Sequence, residues 1–337
     1  MNIVVLLGGH SPERNISLLS GRAVVGALRT LGHTVTPYDP ALGIVTDEAL
    51  AQATSAPVDA ALLQSLDIKK ILELPLAPEL QCADVVFNVL HGRYGEDGYV
   101  QAVLDLHSIP YTGSGMLASA TAMDKALSKM LFQVGGIPTP HWVTTTPDQA
   151  SNIEMISEIR KELNGPIVVK PNNQGSTVGM TIVHSGIVED IADAIRLAGQ
   201  FSDLVLLERY VPGRELTVAV LGGDALPVIE IVADDGYYDY QHKYTKGKTQ
   251  YFCPADLSEE VRDHVMSLAV VAHNVLGCKA ISRVDFRLTD ENIPVCLEVN
   301  TSPGFTELSL VPMAAREAGI EFGTLCEEII RLSTEGA

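Results

Sequence analysis

Apolar and polar positions along this chain change period repeatedly, and the changes predict its elements. Residues 2–7 are apolar after Asn2 and run into Gly8-Gly9, the pattern of a short buried strand and a turn. From Ser17 onward Leu18, Val24, Val25, Leu28 and Leu31 recur at helical spacing, and residues 34–38 read as a second strand. This β-α-β start predicts a parallel α/β domain. Residues 85–90 read as a strand and 100–106 as a helix, and a second unit begins near Ser114. Residues 117–132 read as one helix, broken after it by Ile137-Pro138-Thr139-Pro140. A strand over 142–145, a helix over 151–163, a strand ending at Lys170 and another over 179–183 follow. Next come a helix over 187–198, strands over 204–207, 216–221 and 227–232, and a helix over 257–276 with Gly277 as its expected C-terminal stop. Residues 42–80 are Ala-rich with scattered Pro, give a poor signal and receive no role.

The most informative alternation lies near the end. Arg283 and Asp285 occupy alternate positions of one apolar run, and Glu298 and Asn300 do so in a second. Alternate residues of a strand share a face, and Asp290-Glu291-Asn292 between the runs is turn chemistry. The two runs therefore predict a hairpin with three hard oxygen ligands and an arginine on one face. Such a set suits Mg²⁺, which completes its shell with phosphate and water. A half-solvated hairpin with its polar residues outward is the plainer alternative.

Loops after other strands carry further candidates. Glu13 and Arg14 stand at the head of the first helix, in the strand–helix crevice where α/β domains bind ligands. Glu13 is either an ammonium holder or a first-turn carboxylate opposing the helix dipole. His91 opens the glycine-rich stretch His91-Gly-Arg-Tyr-Gly-Glu-Asp-Gly98. The Gly/Ser/Thr loop after Lys170 can turn N–H groups and the Ser176 and Thr177 hydroxyls onto phosphate, with Lys170 as countercharge; an ordinary polar hairpin is the alternative. It lacks the Walker A spacing. The polar, aromatic stretch 234–254 is too long for a casual connection and reads as a functional loop, with Lys243 and Tyr244 as donors.

Composition bounds these readings. The chain has 337 residues, 46% of them hydrophobic, which predicts two or three domains with real cores. The net charge of −19 argues against a nucleic-acid partner without excluding a local nucleotide site. No run is apolar enough for a membrane span, and the N-terminus reads as a core strand rather than a signal peptide. Five cysteines without a C-x-x-C read as free thiols of a reducing cytoplasm.

Taken together the segments GGHSPERNISL, HGRYGEDG, YTGSG with MDK, VVKPNNQGSTVGM, ERYVPGRELTVAV, YYDYQHKYTKGKTQYFCPA, SRVDFRL and EVNTSPGFTELSLVP resemble, in order and nearly end to end, the D-alanine–D-alanine ligase family of the ATP-grasp superfamily. The resemblance implies an α/β chain (α+β in the ATP-grasp part) of three domains. These are an N-terminal parallel α/β substrate domain over 1–113, a central lid over 114–212 and a C-terminal catalytic domain over 213–337. It implies that ATP phosphorylates one D-alanine carboxylate and that a second D-alanine amine displaces phosphate, giving D-alanyl-D-alanine for peptidoglycan. The implied metals are two Mg²⁺ ions, with Mn²⁺ as a substitute, on Asp285, Glu298 and Asn300. Lys125 and Lys170 would contact phosphates, Glu208, Arg209, Tyr210 and Val211 would line the adenine, and Glu215 would take the ribose. Arg283 with an N–H near Gly304 would form the oxyanion site. Glu13 would hold the first ammonium group, with His91 near that substrate's carboxylate. Lys243, Ser309 and Leu310 would cradle the second carboxylate. Glu13, Ser176 and Tyr244 would form a triad that closes the long loop, and Tyr244 in its context looks like the D-alanine-adding type. Ligases using D-lactate or D-serine, or a non-catalytic ATP-binding protein, are the alternatives. The family also implies a cytoplasmic homodimer.

Overall fold

The structure, a computed structural model, describes residues 1–233 and 249–335. Three sheets carry the architecture. The first has strands β1 (Asn2–Leu6), β2 (Thr34–Asp39), β3 (Gly43–Ile44) and β4 (Val85–Asn88) in the order β3-β2-β1-β4. β1 pairs in parallel with β2 and β4, as the β-α-β pattern predicts, through helix α1 (Arg14–Thr30). Gly8 and Gly9 both have positive φ. Beneath them Asp39 is buried and paired with Arg14, and a Cβ on Gly8 would fall 2.5 Å from an Asp39 oxygen.

The stretch without a clear period turns out to be a cover. It folds into α2 (Asp47–Ala51), α3 (Ala60–Ser65), a 3-10 segment (Ile68–Leu76) and α4 (Pro78–Gln81). Ile71, Leu74 and Leu80 pack with Val4, Leu6 and Val86 on one face of the first sheet. Such short turns leave too few repeats for periodicity to show. α5 (Tyr99–Leu106) completes that side.

The stretch expected as one helix is two, α6 (Met116–Met123) and α7 (Lys125–Val134). Asp124 between them is extended, and its carboxylate accepts the Leu127 N–H, so it caps α7. β5 (Trp142–Thr145), α8 (Ile153–Leu163), β6 (Ile167–Pro171), β7 (Thr181–Val183), α9 (Val188–Ala198) and β8 (Val205–Arg209) follow. Their strands form an antiparallel sheet in the order β5-β8-β6-β7, with α8 and α9 on one face around Ile156, Val169, Ile195 and Leu207.

The third sheet contains β9 (Arg214–Leu221), β10 (Asp224–Ala225), β11 (Ile229–Ala233), β12 (Thr249–Phe252), β13 (Ile281–Leu288) and β14 (Pro294–Asn300). It runs β12-β11-β9-β13-β14, with β10 on β9. α10 (Glu259–Val275) covers one part, while α11 (Leu310–Glu317) and α12 (Phe322–Thr334) return to the first sheet. Leu325, Cys326, Ile329 and Ile330 of α12 share a core with Ile3, Val5, Val24 and Leu28.

Candidate active site

The hairpin is as expected. β13 pairs antiparallel with β14, Arg283 opposite Asn300 and Asp285 opposite Glu298, so all four side chains share a face. A bulge after Asp285 leaves Leu297 and Glu298 as successive half-buried residues, interrupting the alternation. Leu297 consequently joins the face it would otherwise have left and lines the cleft.

That cleft lies between the second and third sheets and opens to solvent. One wall is the face of the second sheet carrying Val168, Lys170, Ile182 and Glu208. The other carries Glu215, Ile231, Arg283, Asp285, Arg287 and Glu298. Arg283 and Arg287 both line it, about 13 Å apart along an extended strand. Lys125, the first residue of α7, reaches in from below, 3.3 Å from a Glu298 oxygen and 2.7 Å from the Gln174 carbonyl.

Charges in the cleft are held rather than loose. Glu208, almost wholly buried, lies between Lys170 Nζ at 2.5 Å and Lys129 Nζ at 2.7 Å. Burial opposes its ionisation, but the two ammonium groups outweigh burial and hold its carboxyl below the usual range. Arg287 Nη1 lies 3.3 Å from Glu215. Arg283 grips Asp285 through two N–H bonds of 2.9 and 2.7 Å, and Thr217 Oγ1 and Asn300 Nδ2 donate to the same carboxylate.

The glycine-rich loop after β6 crosses the top of the cleft. Ser176 (φ 52°) and Thr177 (φ 58°) are left-handed without being glycine, a strained arrangement typical of functional loops. Ser176 Oγ donates to Glu13. Glu13 occupies the N-cap of α1 but makes no side-chain cap bond, and its carboxylate turns to the Ser176 loop instead of its own helix. Gly92 (φ 68°) leaves it room: a Cβ there would lie 2.8 Å from a Glu13 oxygen.

Other expected residues are placed less directly. Both ring nitrogens of the buried His91 face protein groups: Nδ1 lies 3.0 Å from the Ser302 carbonyl and Nε2 3.4 Å from Ser20 Oγ. The carbonyl makes Nδ1 the donor, and burial lowers the imidazole pKa. His91 thus ties the first sheet to the loop holding Gly304. In that loop Phe305 N donates to Ser20 Oγ at 3.2 Å. Arg209 turns its guanidinium to the Leu163 carbonyl, so only its main chain borders the cleft beside Tyr210 and Val211. Ser309 precedes α11, and its Oγ accepts the Thr306 N–H. Leu310 lines the cleft. Lys243 and Tyr244 lie outside the described residues.

Sequence reasoning passed over Lys129, Leu297, Arg287 and Glu96. Lys129 was legible as the residue one turn after Lys125, on the same helical face. Leu297 was hidden by the bulge. Glu96 is buried, accepts the Gly92 N–H at 2.9 Å, and is pushed up to about 8 by burial and then by Glu13.

Among the described residues no cluster of three His, Cys, Asp or Glu side chains could cage a metal. Two carboxylates and an amide on one face fit instead a hard cation that takes its remaining ligands from phosphate and water.

The family model described as D-ala D-ala ligase N-terminus matches residues 2–114, and that described as D-ala D-ala ligase C-terminus matches residues 131–331. A curated D-alanine–D-alanine ligase of Nitrosospira multiformis is 43% identical, over 99% of this chain and 97% of the relative. The solved D-alanine–D-alanine ligase of Bacillus anthracis complexed with ATP is 29% identical with a TM-score of 0.76, covering 98% of this chain and 96% of that one. The VanG D-Ala:D-Ser ligase of Enterococcus faecalis is 29% identical with a TM-score of 0.80, covering 98% and 99%. A charged cleft between two antiparallel sheets, closed by a glycine-rich loop and matched by family and relatives over nearly the whole length, makes this chain a member of the D-alanine–D-alanine ligase family.

Proposed function

We propose that the protein joins two D-alanines into D-alanyl-D-alanine for peptidoglycan, converting ATP to ADP and phosphate. The carboxylate of the first D-alanine attacks the γ-phosphorus, and the bond to ADP breaks. The amine of the second attacks the resulting acyl phosphate, loses its proton and expels phosphate. The observation that carries this reading is the cleft itself. Lys125 meets Glu298 on the face shared with Asp285, Lys170 lines the opposite wall, Arg287 donates to the main-chain carbonyls of Val211 and Gly213, and Ser176 of the covering loop donates to Glu13.

The residues divide the work by chemistry. Glu13 is the anion for the first ammonium group. Lys125 and Lys170 neutralise phosphate oxygens, which matters because two anions must meet. Arg283 and the Gly304 N–H take the negative charge that develops on the attacked carbonyl. The start of α11 offers the Leu310 N–H and the Ser309 hydroxyl to the second carboxylate. Glu208, the Arg209 main chain, Tyr210 and Val211 line the base, and Glu215 the ribose. Asp285, Glu298 and Asn300 would hold Mg²⁺, which when bound offsets triphosphate charge and aligns the transfer; Mn²⁺ would serve by the same oxygen chemistry. Closure of the Ser176 loop excludes water from the acyl phosphate. Lys243 and Tyr244 are proposed to complete that closure and the second carboxylate site. No helix among the described residues is long and apolar enough to cross a membrane; a cytoplasmic homodimer is the proposed working form.

The test is phosphate release from ATP with D-alanine alone, compared with D-alanine mixed with D-serine or D-lactate. Release with D-alanine alone supports the reading. Release only with a mixed pair would reassign the second substrate, and none in any mixture would reject a ligase.

A further inference from the structure

Lys129 is a lysine that never meets solvent. Its side chain is 0% exposed, deep beneath the cleft, with the ring of Trp142 5.9 Å from Nζ. Nζ has two close partners, Glu208 Oε2 at 2.7 Å and Thr139 Oγ1 at 2.9 Å. Thr139 in turn donates to the Cys296 carbonyl at 2.9 Å, and Cys296 N donates to the Pro138 carbonyl at 2.7 Å. Lys129 is therefore anchored to β14 through the 137–140 connection and cannot reach a phosphate.

Its one outlet to the cleft is Glu208. Val168 pairs with Glu208 across β6 and β8, which puts that carboxylate on the cleft face. The other cation on Glu208, Lys170, lines the open cleft and is the one free to turn toward phosphate. When it does, Lys129 alone keeps the buried carboxylate ionised and in place. An ionised carboxylate only accepts hydrogen bonds.

We propose that Lys129 is a positioning residue that fixes Glu208 as an acceptor at the base end of the cleft, so that the enzyme selects a purine bearing an exocyclic 6-amino donor over one bearing a 6-carbonyl. The inference rests on reading the cleft as the nucleotide site. A 6-amino group donates to Glu208, whereas a 6-carbonyl sets lone pairs against the carboxylate and gives it no donor on its cleft side.

The experiment measures phosphate release with D-alanine and either ATP or ITP, which differ in the base at that 6-substituent and in the hydrogen ITP carries on N1, the latter a difference that wild type and variants meet alike. Wild type is expected to favour ATP by roughly 100-fold in kcat/KM. Lys129→Met is expected to narrow that ratio about tenfold, mainly through KM for ATP, with KM for D-alanine within about twofold. Lys129→Arg, which keeps the cation, is expected to retain most of the preference. An unchanged ATP/ITP ratio in Lys129→Met overturns the proposal, as does a loss confined to kcat, which marks a merely structural role. Should Lys129→Met fail to fold, Thr139→Val removes one partner of Nζ without removing a charge. That variant is expected to narrow the ratio about threefold, and an unchanged ratio again overturns the proposal. Wild type that uses ATP and ITP equally overturns this inference alone. Wild type inactive with both, in every substrate mixture, overturns the underlying reading and this inference with it.

Discussion

Single residues here hold charge states that the surrounding fold imposes. Glu96 is the clearest. Burial lifts its pKa from 4.5 to about 8, with Glu13 next in weight; Asp97 adds to the rise, while the Gly92 N–H and Arg283 oppose it. A folded-state pKa above the unfolded one contributes stability below pH 4.5, lost as pH rises through 8. Glu96→Gln does not titrate, so its melting temperature should rise relative to wild type between pH 6 and pH 9, by the equivalent of a few kcal/mol. Parallel melting curves across that range would reject the assignment. Catalysis gives sharper tests. Glu298→Ala should abolish turnover while circular dichroism stays native, since the residue sits on an open face with its side chain 25% exposed. Arg283→Met should lower kcat by roughly 10²–10³ if it serves the oxyanion. At this scale the sequence was partly readable. Asp285, Glu298 and Asn300 could be grouped from alternation alone. The engagement of both His91 nitrogens and the turning away of Arg209 could not, because each depends on partners remote in sequence.

Elements were legible where their period was long. β13, β14, α1 and α10 could be found from hydrophobic spacing, because each runs for two or more turns or several alternations. The division between α6 and α7 was missed because apolar spacing passes through Asp124 unbroken; only its cap geometry shows the break. That cap has a consequence. Asp124→Ala should lower stability by about 1 kcal/mol, read as a lowered melting temperature. It should also raise KM for ATP, because the same turn aims Lys125. A changed melting temperature with unaltered KM would separate the cap from the cleft. The Leu42–Leu80 cover was unreadable for the opposite reason: turns of four to six residues hold too few repeats to register.

The whole molecule is organised by contacts between segments far apart in the chain. The Glu13–Ser176 bond joins the first helix to the loop over the cleft, and His91 joins β4 to the loop of Gly304. Ligands that bridge these parts should stiffen all of them together. A non-hydrolysable ATP analogue at 100 times its Kd should add about 2.7 kcal/mol of stability. With EDTA present most of that shift should vanish if Asp285, Glu298 and Asn300 hold a metal between protein and phosphate. An EDTA-insensitive shift in thermal melting would remove the metal from the account.

Cohesion between the first sheet and α12 also bears on how the protein is made. The first sheet obtains part of its apolar cover from α12, whose Leu325, Cys326, Ile329 and Ile330 pack against Ile3, Val5, Val24 and Leu28. Synthesis proceeds from the N-terminus, so β1 and α1 emerge long before this cover exists. The growing polypeptide must carry an incompletely shielded greasy surface until α12 has been made, a state prone to self-association. A nonsense mutation before Phe322 would therefore do more than shorten the product: it would leave the earliest-made part permanently sticky and a target for chaperones and proteases.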